Sequence, residues 1–217
     1  VAVGSNTLNT QNFTSATDSY NTAVGYNAGV AVTTGTRNTL IGGLSGDAIT
    51  TASQNTAVGS YSLSVNTTGS YNTALGDESL GSCTTGANNT AVGNDALYAN
   101  TTAVDNTAVG YLAGNANTTG AYNTFIGKDA GLTNTTGTLN TFIGEYSGRL
   151  TTGSNNSFLG QNSGSGMTTG TKNTIIGRFG GNGGGLDIRT ASNNIVLSDG
   201  DGNPRVVVNS SGKVLCG

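Results

Sequence analysis

The residues nearest to offering chemistry are carboxylates. Glu78 and Asp95 hold the same place in successive copies of a 17-residue repeat. If the copies stack at the ~4.8 Å spacing of paired strands, the two acids lie about 5 Å apart. That separation suits the acid and nucleophile of a retaining glycosidase. Asp77 and Asp129 fall nearby. The same variable columns also hold Asn27 and Leu44, so a solvated face explains the acids at least as well. The chain has no His, which excludes a Ser-His-Asp triad and any His-based metal site.

Other motifs reduce to repeat structure. Cys83 and Cys216 are too few for a zinc site and sit on distant repeats, so free thiols are expected. Residues 166–172 look faintly like a phosphate loop, but Thr171 separates Gly170 from Lys172. Residues 180–187 look like a calcium-binding nonapeptide, with Gly185 where the Asp is needed. The expectation is therefore a non-enzyme with no metal and no cofactor. Thr-Thr pairs such as Thr33-Thr34 raise ice binding, but adjacent residues of a strand point apart and do not build one flat Thr face. Exposed tyrosines could stack on sugar rings. Tyr26, Tyr61, Tyr111 and Tyr146 are the candidate receptor-facing residues, with Tyr20, Tyr71 and Tyr122 in a further column three repeats apart.

These residues are positioned by the repeat. Asn-Thr/Ser-apolar-apolar-Gly occurs ten times, in steps of 17 residues with one step of 16 between Gly144 and Gly160. An eleventh remnant, Ala2-Val3-Gly4, precedes a 21-residue step that contains Asn12-Phe13-Thr14. Numbered from its Asn, the repeat has an Asn ladder at position 1: Asn21, Asn38, Asn55, Asn72, Asn89, Asn106, Asn123, Asn140, Asn156 and Asn173. Position 3 varies among Ala, Leu, Phe and Ile. Position 4 is always aliphatic, and is expected to form the buried core ladder: Val24, Ile41, Val58, Leu75, Val92, Val109, Ile126, Ile143, Leu159 and Ile176. Position 8 is Ala or Ser, position 9 mostly Gly or Leu, and a Thr-Thr-Gly or Thr-Thr-Ala turn closes the unit.

Short runs of Thr, Val, Ile and Phe bounded by Gly and Asn read as strands. Two or three Gly per unit and the lack of i, i+3, i+4 apolar spacing exclude helix. The fold expected is an all-β solenoid, or β-roll, of 17-residue coils over residues 1–179. A Gly-rich junction at 180–185 and a small C-terminal β hairpin and cap at 186–217 should follow. Positions 3 and 4 are both apolar and face opposite ways along a strand. One face fills the coil and the other needs a partner. A parallel homotrimer with position 3 toward its axis is expected.

The low charge and a pI near 4.6 argue against nucleic acid, and no apolar run is long enough to insert in a membrane as a helix. Asn-Thr-Ala-Val-Gly and Asn-Thr-Phe-Ile-Gly resemble the head repeats of trimeric autotransporter (YadA-like) adhesins, which wind into trimeric left-handed β-rolls. Long runs of such repeats also resemble bacteriophage tail-fibre shafts. The segment from Ala191 to Gly200, with Asn203-Pro204-Arg205-Val206-Val207-Val208 after it, is similar to what precedes the chaperone domain of phage fibres. The resemblance implies a structural and adhesive rod of a virion tail fibre, extracellular, supporting attachment to a host cell-surface glycan or protein receptor. The alternative is the head of a trimeric bacterial surface adhesin, and a lesser one a glycan-cleaving tail spike.

Overall fold

A computed structural model describes residues 1–12 and 18–216; the Phe13-Thr14 part of the Asn12-Phe13-Thr14 motif lies outside the described residues. The chain is an all-β parallel solenoid of about eleven coils, in two compact units divided after Asn106. In the first unit one three-residue strand recurs per coil. After β1 (Ala2–Val3) come β2 (Thr22–Val24), β3 (Thr39–Ile41), β4 (Thr56–Val58), β5 (Thr73–Leu75) and β6 (Thr90–Val92). Neighbouring strands pair in parallel with like positions in register, so Ala23 meets Leu40, Leu40 meets Ala57, and Ala57 meets Ala74.

The second unit continues the pattern with β7 (Thr107–Val109), β8 (Thr124–Ile126), β9 (Thr141–Ile143), β10 (Ser157–Leu159) and β11 (Thr174–Ile176). The Gly-rich run does not end the coiling. It carries a two-stranded insertion, β12 (Asn182–Gly183) and β13 (Leu186–Asp187), and β14 (Ile195–Ser198) then pairs in parallel with β11. Beyond it β15 (Pro204–Val208) and β16 (Val214–Cys216) add antiparallel strands.

The Asn ladder forms as expected, and it holds more than its neighbours above and below. In Asn55 the backbone N–H donates to Asn38 Oδ1 at 3.0 Å, and Nδ2 donates to the Gly69 carbonyl of its own coil's closing turn at 3.0 Å. Asn72 repeats this against Asn55 Oδ1 and Gly86 O, both at 2.9 Å. In the second unit Asn140, Asn156 and Asn173 do the same, and Asn194 takes the next place after Asn173. All of these side chains are buried.

That inward Asn corrects the expected core. Side chains alternate along a strand, so an inward position 1 forces position 3 inward and positions 2 and 4 outward. Ala23, Leu40, Ala57, Ala74, Ala91, Ala108, Phe125, Phe142, Phe158 and Ile175 are fully buried. The position-4 residues named as the core ladder line the outer face instead: Ile41 is 37 % exposed, Leu75 47 %, Leu159 49 % and Ile176 45 %. Val24, Val58 and Val92 in the first unit and Val109, Ile126 and Ile143 in the second likewise point outward, half-buried or exposed. The interior Asn fixes the phase. Side-chain branching at position 4 does not.

Positions 3 and 9 share one space. Where position 3 is Leu40, Phe125, Phe142 or Phe158, position 9 is Gly46, Gly131, Gly148 or Gly164. Where position 3 is Ala57, Ala74 or Ala91, position 9 is Leu63, Leu80 or Leu97, each fully buried, whereas Ala23 and Ala108 stand with Gly29 and Gly114, and the Gly29 space is taken by Leu40 and Leu8 of neighbouring coils. The exclusion is steric: a Cβ on Gly131 would sit 2.5 Å from the Phe125 ring. The Phe side chains then pack on one another, with Phe142 and Phe158 stacked at 4.9 Å. Gly at position 5 answers a different demand. Gly25 has φ +137°, and a Cβ there would strike the Gly42 carbonyl of the next coil.

Position 12 is a further interior column that sequence analysis did not identify. Val32, Ile49, Asn66, Cys83, Asn100 and Met167 all have no exposure. Its mixed polarity hid it. Asn66 is admitted because its amide closes the local turn, donating to Gly69 O at 2.8 Å and accepting from Gly69 N–H at 3.0 Å.

Exchanging the occupants within one coil tests the shared space. Leu63→Gly should destabilise the fold by about 2–5 kcal/mol through a cavity, and adding Ala57→Leu should recover most of that loss in thermal unfolding. A double variant no more stable than the single one would refute the pairing. Cys83 and Cys216 are both free thiols. Burial pushes the Cys83 thiol up to about 11, and thiolate is the reactive form. A thiol reagent near pH 8 should therefore label one cysteine per native chain, Cys216, and the second only on unfolding.

Candidate binding surfaces

Three kinds of surface face solvent. The first is the outer sheet face. Position 2 is Thr or Ser and position 4 aliphatic in every copy, so this face carries no charge. Between β9, β10 and β11 the outward Thr141, Ile143, Leu159, Thr174 and Ile176 line an apolar groove of about 240 Å³. The Thr-Thr turns lie elsewhere. There the first hydroxyl donates to a carbonyl of the next coil, as Thr50 Oγ1 does to Thr67 O at 3.1 Å, which removes it from any water-facing array.

The second is the variable column at position 7. Its backbone is left-handed in the nine coils that begin at Asn21 to Asn156, across several residue types: Asn27, Leu44, Tyr61, Glu78, Asp95, Leu112, Asp129, Tyr146 and Asn162 have φ between 53° and 59°. The turn is held by coil-to-coil hydrogen bonds rather than by side-chain preference, as in Glu78 N–H to Ser60 O at 2.9 Å. Most side chains here reach solvent and vary in type, though Asp129 is buried. Tyr61 is exposed, as are Tyr26 and Tyr111 at position 6, while Tyr146 is half-buried. Tyr20, Tyr71 and Tyr122 are also exposed.

Glu78 lines a cleft of about 200 Å³ together with Tyr61 and Tyr98; Asp95 is not in its lining. Asp95 is raised above the usual carboxylate range by burial and then by the charge of Asp77. Tyr98, at position 10, escaped sequence analysis because Tyr is rare in that column. Asp187, in the calcium-like stretch, is taken by Arg189, whose Nε and Nη2 donate to its two oxygens at 3.0 and 2.7 Å. These bonds hold the Asp187 carboxyl down at about 2. Residues 166–172 form an ordinary coil turn, with Thr168 N–H on Arg189 O at 2.8 Å.

The third surface surrounds Tyr146. Lys128 Nζ donates to its hydroxyl at 3.0 Å, and the Arg149 guanidinium lies 5.5 Å from its ring centre. Tyr146, Arg149, Asn162 and Ser165 line a cleft of about 460 Å³. Scanned against protein-family models, curated proteins and solved structures, the chain matches none of them.

Proposed function

We propose that this chain is a structural and adhesive section of a phage tail fibre, assembled as a parallel homotrimer that attaches to a host cell-surface receptor. The observation that carries the reading is the outward aliphatic column. Side chains that are 37–49 % exposed at Ile41, Leu75, Leu159 and Ile176 stand on a face with no charge, coil after coil. Repeated apolar exposure of this kind marks an interface. Because every coil offers the same residues, a parallel copy in register meets each exposed aliphatic with its equivalent. The number three rests on the resemblance of the repeats to trimeric heads and shafts. Position 4, not position 3, faces the other copies.

Filled interiors and shallow clefts support a scaffold that presents side chains. Tyr26, Tyr61, Tyr111 and Tyr146 are the residues offered to a receptor. The head of a trimeric bacterial surface adhesin uses the same architecture and remains the alternative. A glycan-cleaving spike is the lesser alternative.

Sedimentation equilibrium of the purified chain should return three times the monomer mass. Ile126→Asp with Ile143→Asp should give a monomer whose circular dichroism still shows β-structure. A wild type that stays monomeric at micromolar concentration would remove the assembly. Fluorescent trimer should be retained on cells of a susceptible bacterial host at least about tenfold better than the monomeric variant, since multivalency multiplies weak contacts.

A further inference from the structure

The repeat breaks its own pattern around Tyr146, and the break opens a trough. Positions 10 and 11 are Arg149-Leu150 in one coil and Ser165-Gly166 in the next. The coil after that carries the β12–β13 insertion, which brings in Asp187 and Arg189. Gly166 N–H donates to the Gly180 carbonyl at 2.8 Å, and where a Cβ would stand the nearest side-chain atom is Arg189 Cδ at 3.9 Å, so part of the floor is backbone. The Tyr146 cleft and a second cleft of about 580 Å³, reached by Thr168, Arg189 and Thr190, share Leu150 and Gly166 as a common wall.

The charges in the trough are not equivalent. Arg189 is fully paired with Asp187. Lys128 contacts the Tyr146 hydroxyl and lies 4.0 Å from Glu145. Asp129 lines the wall but is 7 % exposed. Among the described residues the Arg149 guanidinium makes no hydrogen bond or ion pair and lies over the Tyr146 ring. A planar cation with free donors fits a carboxylate or sulfate in two-pronged fashion. The aromatic ring beside it suits a sugar face, and Asn162, Ser165, Thr168 and Thr190 supply the hydroxyls and amide that hydroxylated ligands need.

We infer that this trough binds an acidic glycan, with an acidic group of the sugar on Arg149 and a ring against Tyr146. The inference rests on the attachment reading and names the ligand class of one of its receptor-facing residues. Isothermal titration of the full chain with tetragalacturonate should show binding at least about tenfold tighter than with the neutral maltotetraose or with tetraglutamate. Arg149→Gln and Tyr146→Ala should each weaken it by about tenfold or more with unchanged melting temperature, while Arg37→Gln in the first unit should change nothing. No binding of the uronate, equal binding of maltotetraose or tetraglutamate, or full binding by Arg149→Gln would overturn the trough. Cell retention separates the two ideas. Retention that is equal in Arg149→Gln removes the trough and leaves attachment standing, whereas uronate binding without any retention of the wild type removes attachment and leaves the trough.

Discussion

The structure depends on one side chain used three ways. An Asn amide at position 1 accepts the backbone N–H of the next coil's Asn, donates to the closing turn of its own coil, and is buried while doing both. Asn38, for example, donates to Ala52 O at 2.9 Å and accepts from Asn55 N–H at 3.0 Å. A buried polar group without partners costs about 1–3 kcal/mol, so the ladder is stable only when coils are stacked in register. Ser and Thr cannot reach both groups. Asp lacks the donor. Residue type and register are therefore one constraint.

Everything else follows from the inward direction of that amide. Position 3 points into the coil and must share its volume with position 9, which explains the trade of Phe142 against Gly148 and of Ala57 against Leu63. Positions 2 and 4 point out and make an uncharged Thr and aliphatic face. Position 7 is locked by coil-to-coil hydrogen bonds in a left-handed conformation that non-glycine residues ordinarily avoid. That bond network leaves its side chain without a structural duty, and the column is where Tyr61 and Tyr146 appear. Rigid spacing and free choice of surface residue thus come from the same stacking.

Much of this was legible in the sequence. The period, the absence of helix, the strand at each Asn-Thr-apolar-apolar-Gly and the Asn column all follow from spacing alone. The phase of the core did not, because two adjacent apolar positions look alike until the buried Asn decides which one faces in. Val109 and Ile126 read as core for their branching, yet Ala108 and Phe125 fill the interior. The invariant aliphatic column is the outer one, and the variable column is inner because Leu63 or Gly148 compensates within the coil. Position 12 was hidden by mixed chemistry, with Asn66, Cys83 and Met167 serving one column. The Tyr146 trough was illegible for a further reason: it needs Arg149, Gly166 and Arg189, which come together only when three unlike coils stack.

The most direct measurement is the thermal unfolding of Asn72→Asp at neutral pH. The substitution keeps shape and the acceptor for Asn89 N–H, but sets a carboxylate against the Gly86 carbonyl that Asn72 Nδ2 now holds at 2.9 Å. Loss of that donor, with a buried charge left in its place, should cost about 3 kcal/mol or more and lower the melting temperature by several degrees. A melting temperature equal to wild type would contradict the claim that the Asn amides hold the coils together.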